Sequence, residues 1–292
     1  MGRLKQEMTR LAYQAGGSFK TVHDRITIAK RLSDNLYKLN IQIHHVKHLK
    51  AKHIVNYIQD RLAQGVGKRT LQNEMAAIRA ILQRAGREKL AQLPIISNQA
   101  LGLSQASREG THRAIAAEHY QQVLAQAEKI DKGFACALEL AYQMGLRSQE
   151  AVQCHQSLNT WLKALERGDA RLLVTFGTKG SRPRITLVLN PEQLKQTLQK
   201  ALAIMQQQKG KLIDKPDLKS AMAYWRRTVT KVGLKGVYSP HSLRYAWAQR
   251  ALQHYQTQGF SHKESLALVS MDLGHGDGRG RYVERVYGLS DT

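Results

Sequence analysis

The sequence predicts a mostly α-helical chain with one small antiparallel sheet, an α+β fold, in two domains that meet near residue 110. Three observations predict it. Apolar residues recur every three or four positions through most of the 292 residues. One pair of short, β-branched and apolar runs interrupts that period. Between about Arg87 and Arg113 the period fades into small and polar residues.

In the first hundred residues, Val22, Ile26, Ala29, Leu32 and Leu36 share a helical face, as do Ile54, Ile58 and Leu62. Leu71, Met75, Ile78 and Leu82 form a third such stripe. Gly65, Gly67, Lys68 and Arg69 precede it as a turn and a basic helix start. Together these segments predict a small helical bundle. Pro94, Ser97, Asn98, Gly102, Ser104, Ser107 and Gly110 read as a linker, which sets the domains at 1–110 and 111–292.

Beyond the linker, helices are expected over Ala116 to Lys129 and Phe134 to Met144, the second closed by Gly145. The runs from Arg171 to Phe176 and from Arg184 to Leu189 flank a basic loop, Gly177 to Pro183, and predict an antiparallel hairpin. Helices follow from Pro191 to Met205 and from Leu218 to Val232. A third opens at Ser239-Pro240, with Ser as N-cap and Pro at the first helical position. Trp225 and Trp247 fall at apolar helical positions, and Leu243, Trp247 and Ala251 share a face, so these are core residues.

Lys and Arg number 45 against 22 Asp and Glu, a formal charge of +23, so the expected partner is a polyanion, with nucleic acid first. The excess is +12 over residues 1–110 and +11 over 111–292. Both domains therefore face the polyanion, as in a clamp around a duplex. No apolar run approaches the length of a membrane span and no signal pattern follows Met1, so the chain reads as soluble and cytoplasmic, nucleoid-associated when bound. Cys136 and Cys154 lack CxxC spacing, which points away from a disulfide framework or a thiolate metal site.

Four segments carry chemistry. In Gly145-Leu-Arg147-Ser-Gln-Glu150 an arginine stands at a helix junction; alone, it reads equally as a surface cation or as the partner of Glu150. In Pro240-His241-Ser-Leu-Arg244 an imidazole and a guanidinium lie three apart in a first helical turn, a phosphate cradle in which Arg offers a bidentate fork. Lys179 sits in the hairpin loop. Near the C-terminus, Leu273-Gly274-His275 precedes a glycine-rich basic loop and a segment bearing Tyr282 and Tyr287.

Taken in order, Arg147, Lys179, His241-x-x-Arg244, Leu-Gly-His275 and a terminal tyrosine resemble the signature of the tyrosine recombinases, or phage-type integrases. The resemblance covers the C-terminal half, and the basic helical N-terminal half is similar to that family's core-binding domain. It implies a DNA strand-exchange enzyme working through a 3′-phosphotyrosine, without metal, ATP or other cofactor. By resemblance, Arg147, Arg244 and His275 contact the non-bridging oxygens, Lys179 protonates the departing 5′ oxygen, and His241 assists proton transfer. Arg182 and Arg184 compete with Lys179 for its role. Tyr287 is expected as nucleophile. The family places that residue about nine positions after the last histidine, here Glu284, so Tyr282 competes. On one helix a five-residue separation turns the two tyrosines about 140° apart, so that only one faces the phosphate.

The implied partners are double-stranded recombination sites, a homotetramer on DNA, and accessory DNA-bending proteins. Only five residues follow Tyr287, fewer than the tail many members dock on a neighbouring subunit. Lys47, Lys50, Lys52, Lys68, Arg69 and Arg182 are candidate DNA contacts. His44, His45, His48 and His53 cluster, with His44 and His48 at helical spacing, but the lysines among them favour a DNA-facing surface over a metal site. A type IB topoisomerase and a non-catalytic DNA-binding protein are the alternatives. The integrase reading implies integration or excision of a mobile element.

Overall fold

The computed structural model describes residues 2–106 and 112–288. The chain forms two compact units, Met1–Ser107 and Arg108–Thr292.

The first unit is a helical bundle of α1 (Arg3–Gln14), α2 (Phe19–Lys38), α3 (Ala51–Ala63), α4 (Lys68–Arg84) and the short α5 (Glu88–Ala91). Each long helix buries one stripe: Met8 and Leu11 from α1, Leu32 and Leu36 from α2, Ile54 and Ile58 from α3, Met75 and Ile78 from α4. The apolar stripe of α1, Leu4, Met8, Leu11 and Ala12, is an addition to the stripes expected from the sequence. At the bundle centre Glu74 is 1% exposed. It accepts from Tyr57 Oη at 2.6 Å, Arg31 Nη1 at 2.6 Å and Arg61 Nη2 at 2.9 Å. Burial alone would raise its pKa; Arg61 and Tyr57 reverse that and hold it below the ordinary carboxylate value.

The expected linker is overturned over much of its length. Helix α5 and a 3₁₀ turn at Pro94–Ile96 place Leu90, Ala91, Ile96, Leu101 and Leu103 in the bundle core. Arg79 Nη2 holds the strap by donating to the Ile96 carbonyl at 2.7 Å, and Ser97 Oγ accepts from Ala100 N at 3.1 Å. Small polar residues there build tight turns against the core. Ser107 and Gly110 lie outside the described residues.

The second unit contains α6 (Ala117–Ile130), α7 (Lys132–Met144), α8 (Ser148–Gln153), α9 (Leu158–Glu166), strands β1 (Arg171–Val174) and β2 (Arg184–Leu187), then α10 (Pro191–Gln207), α11 (Leu218–Lys231), α12 (His241–Thr257), α13 (His262–Asp272) and α14 (Gly280–Tyr287). The strands pair antiparallel, Arg171 with Leu187 and Val174 with Arg184. Each is four residues long, two fewer than expected. Trp161, Trp225 and Leu243 lie in the main core; Trp247 and Ala251 join Tyr255, Val269 and Tyr287 in a second cluster. Cys136 and Cys154 are buried free thiols. Among the described residues no helix is long and apolar enough to cross a membrane.

Two local features place the site. Asp131 caps α7 by accepting from Phe134 N at 3.0 Å, and the helix ends at Gly145 with φ of +59°. A Cβ at Gly145 would come within 2.8 Å of the Trp247 ring, so glycine meets both a steric and a backbone requirement. At the start of α12, Ser239 Oγ accepts from His241 N at 3.1 Å. The regular helix begins at His241, one residue later than expected, although Pro240 already has helical dihedrals of −53° and −23°.

Candidate active site

The site is assembled where α7 gives way to α8, where β2 begins, in the first turn of α12, and along the loop from α13 into α14. Arg147 precedes α8. Its backbone N–H donates to Glu150 Oε2 at 2.9 Å and its Nη1 to Glu150 Oε1 at 2.7 Å, so Glu150 both caps the helix and orients the guanidinium. Arg147 Nη2 reaches the Leu273 carbonyl at 3.0 Å.

Arg244 is fully buried. Its spacing in the sequence suggests a guanidinium over exposed N–H groups at its own helix start; the structure instead turns it onto the carbonyls of Gly145, through Nη1, and Leu273, through Nη2. These carbonyls close α7 and α13 and lack helical partners. The negative ends of two helices thus fix the cation. Its Nε donates to the Tyr287 hydroxyl at 3.1 Å.

His275 follows Gly274, whose φ is +66°. Its Nε2 lies 3.1 Å from the Tyr287 hydroxyl oxygen. Since Arg244 Nε can only donate, the hydroxyl hydrogen is free to point at His275 Nε2. Burial and the neighbouring arginines, Arg244 before Arg147, lower His275 to about 3. The same causes, burial first and Arg244 next, lower His241 to about 4. Both imidazoles are therefore neutral at neutral pH.

Tyr287 is 2% exposed, with its ring 4.5 Å from Tyr245 and 6.1 Å from His241. Tyr282 is 43% exposed and packs edge-on to His275 at 5.3 Å. The residues lining a cavity of about 650 Å³ include Arg147, Lys179, Arg182, Arg184, His241, His275, Tyr282 and Tyr287. Both tyrosines border it, but of the two hydroxyls that of Tyr287 meets an arginine and a histidine.

The structure thus gathers Arg147, Lys179, Arg182, His241, Arg244, His275 and Tyr287 within the second unit. Lys47, Lys50, Lys52, Lys68 and Arg69 are exposed on the first unit. Arg184, a rival to Lys179 by its place in the sequence, also borders the cavity, but it is 5% exposed and its guanidinium is bound to Glu150 and to the carbonyls of Asp272 and Gly145. The histidine cluster does not form one helical face: His44 precedes the 3₁₀ turn Val46–His48, His45 Nδ1 lies 3.1 Å from Glu7 Oε2, and His53 Nδ1 accepts from Lys50 N. Among the described residues no group of three His, Cys, Asp or Glu side chains is placed to hold a metal ion.

Sequence reasoning misses the structural part of Arg184, and misses Tyr245 and His112, the last 6.3 Å ring to ring from His241. For Arg184 a signal exists. Arg184 and Thr186 alternate on the inward face of β2, a buried charge that has to be partnered. His112 lies in a stretch without periodicity, and nothing in the sequence marks it.

The family described as phage integrase, N-terminal, matches residues 1–91, and the family described as integrase matches residues 102–250, about half of the chain. The chain belongs to the tyrosine recombinase family. Solved structures share the fold of this recombinase. A lambda integrase tetramer bound to a Holliday junction is similar with a TM-score of 0.61 and 19% identity, over 99% of this chain and 79% of that one. The Tn1549 transposon integrase in complex with transposon right end DNA gives 0.63 and 14%, over 99% and 96%. The XerH recombinase bound to a palindromic difH substrate, a post-cleavage complex, gives 0.57 and 14%, over 96% and 80%. At these identities the likeness is one of fold. No curated protein matches the recombinase in sequence.

Proposed function

We propose that this recombinase is a site-specific DNA strand transferase that cuts and rejoins DNA through a 3′-phosphotyrosine on Tyr287, integrating or excising a mobile element. One observation carries the reading: the Tyr287 hydroxyl stands between Arg244 Nε and His275 Nε2, each at 3.1 Å, on a cavity that Arg147 also lines.

In the reaction, the Tyr287 oxygen attacks phosphorus and the bond to the 5′ oxygen breaks. A phenol with an ordinary pKa of about 10 needs its proton removed; neutral His275 Nε2, expected from the resemblance to contact a non-bridging oxygen, faces that proton in the DNA-free structure and is the nearest acceptor for it. Arg147 and Arg244 hold the charge that develops on the non-bridging oxygens. Lys179, exposed at the cavity edge, gives a proton to the leaving 5′ oxygen. His241 borders the attacking group and assists that transfer. A 5′ hydroxyl of a second strand then attacks the phosphotyrosine and regenerates Tyr287. One phosphodiester is exchanged for another, so the reaction needs neither ATP nor a metal ion.

The duplex is held by both domains, 1–110 and 111–292. Lys47, Lys50, Lys52, Lys68 and Arg69 meet backbone phosphates from the first, and Arg182 from the second. Strand exchange calls for a homotetramer on two sites, with bending proteins where the sites must be folded together. The cytoplasm, on the nucleoid, is the place for such a reaction.

A selection from random DNA tests the reading and reveals the target at the same time. The protein is incubated with a pool of random duplexes carrying 5′-bridging phosphorothiolates, and protein-linked strands are recovered and sequenced. A covalent adduct at a shared sequence, and recombinant junctions between two copies of it, are expected. Binding without any adduct would overturn the enzyme reading, and adducts with relaxation but no junctions would mark a topoisomerase.

A further inference from the structure

The buried carboxylate of Glu150 faces three guanidiniums, those of Arg147, Arg184 and Arg244, and the sharing among them is unequal. Glu150 Oε1 receives Arg147 Nη1 at 2.7 Å, and Oε2 receives Arg184 Nη2 at 2.8 Å. Arg244 Nη1 stays 4.0 Å from Oε2, beyond hydrogen-bond distance. Among the described residues every hydrogen bond of Arg244 goes to a neutral acceptor: the Tyr287 hydroxyl and the carbonyls of Gly145 and Leu273. A fully buried cation beside a buried carboxylate would ordinarily close on it.

Arg184 occupies the intervening place. It enters from β2, and Nη2 also donates to the Gly145 carbonyl at 3.1 Å while Nη1 donates to the Asp272 carbonyl at 2.7 Å. Its stem fills the space left by the absent side chain of Gly274, where a Cβ would lie 2.9 Å from Arg184 Cδ. A planar fork serves these three acceptors at once, which a lysine ammonium at the same stem cannot.

The geometry points to Arg184 as a positioning residue that holds Glu150 away from Arg244, leaving the charge of Arg244 for the scissile phosphate. This inference rests on the strand-transfer reading and assigns Arg184 no contact with DNA. It acts on the reaction by engaging the carboxylate that would otherwise compete with phosphate for Arg244. Through Asp272 and Gly274 it also braces the loop carrying His275. The cluster of Glu150 with its three arginines keeps two positive charges in excess, a charge suited to a phosphate that becomes more anionic in the transition state.

The test compares R184M, R184K and the double variant R184M/E150Q in single-turnover adduct formation on a suicide duplex, alongside equilibrium binding of the same duplex. R184M is expected to slow cleavage by about 10²-fold with binding unchanged, the size of effect seen when one transition-state contact is lost. R184K, which keeps a cation on Oε2, recovers most of the rate. In R184M/E150Q the competing charge is gone, so the double variant is faster than R184M, an order that loss of structure alone would not produce. A crystal structure of R184M is expected to show Glu150 moved onto Arg244. Should R184M not fold, R184Q carries the same comparisons. The inference is overturned if Glu150 stays 4.0 Å from Arg244 in the variant, or if E150Q gives no rescue. If the wild-type protein itself forms no adduct, the strand-transfer reading fails while the crystallographic distance still decides the role of Arg184.

Discussion

Arg244 Nε donates to the Tyr287 hydroxyl at 3.1 Å, and this contact ties the first turn of α12 to the last turn of α14. The residue expected to attack phosphorus is thereby registered against one expected to hold it. Tyr287→Phe should abolish the covalent adduct while DNA binding persists. It should also cost about 1–3 kcal/mol of stability, since the hydroxyl's buried contacts with Arg244 and His275 are lost while the ring remains. Tyr282→Phe should retain the adduct. Denaturing gels on the two variants check both outcomes, and an adduct from Tyr287→Phe would move the nucleophile to Tyr282.

Lys179, the proposed proton donor, makes no side-chain hydrogen bond among the described residues. Lys179→Ala should slow cleavage of an ordinary phosphodiester by roughly 10²- to 10⁴-fold, the usual contribution of a general acid. A 5′-bridging phosphorothiolate releases a thiolate that needs no proton, so the same variant should cut that substrate at close to the wild-type rate. Equal slowing on both substrates would remove Lys179 from the role of acid.

Much of this is legible in the sequence, for identifiable reasons. The stripes of α2, α3 and α4 can be read because each helix buries one face only, and the hairpin because β-branched runs flank a glycine-containing loop. Arg147, His241, Arg244, His275 and Tyr287 stand out by order along the chain; in the structure Arg147, His241, His275 and Tyr287 line one cavity, and Arg244 is bonded to the Tyr287 hydroxyl. What escapes depends on contacts distant in sequence. Residues 88–103 resemble a linker in composition, yet Leu90, Ile96, Leu101 and Leu103 are buried, and only the presence of the bundle reveals why. The guanidinium of Arg244 faces helix ends from α7 and α13, a relation invisible in local spacing. Arg184, at the head of a strand, reads as a rival to Lys179 because the partners that hold its buried charge stand 34 and 88 residues away.

The titrating groups of the site set the response to acid. His241 falls to about 4 and His275 to about 3 from an ordinary 6.5, and Glu150 to about 2 from 4.5. In each case the folded value is depressed, so the unfolded chain binds more protons and folding is favoured above the unfolded value. Stability should be fully present above pH 6.5, begin to fall as the histidines would protonate in the unfolded chain, and fall further from 4.5 to 2 through Glu150. Thermal unfolding of the free protein across that range should show a declining Tm. His275→Asn should flatten the slope between pH 6.5 and 3, and an unchanged slope would mean that His275 is not held neutral by its surroundings.

Gly145→Ala should be among the most damaging small substitutions. The new methyl would meet the Trp247 ring at 2.8 Å and the backbone would keep a φ of +59°. A loss of about 1–3 kcal/mol is expected from backbone strain, read as a lowered Tm. Because the Gly145 carbonyl receives both Arg184 and Arg244, adduct formation should fall as well.

Lys68→Ala and Arg69→Ala should weaken binding evenly across DNA sequences, each lowering the slope of log affinity against log salt by about one. Titrations at several salt concentrations measure it. A change in preferred sequence would instead place these side chains at base edges.

The carbonyls of Gly145 and Leu273 anchor the arginines to main chain at the ends of two helices, whereas Lys179 is anchored to nothing among the described residues. The grip is finished when the chain folds; the trigger is left to the duplex. On the proposed reaction, a shift of the hairpin by one side-chain length would then engage or withdraw Lys179 while the arginines stay where the helix ends hold them.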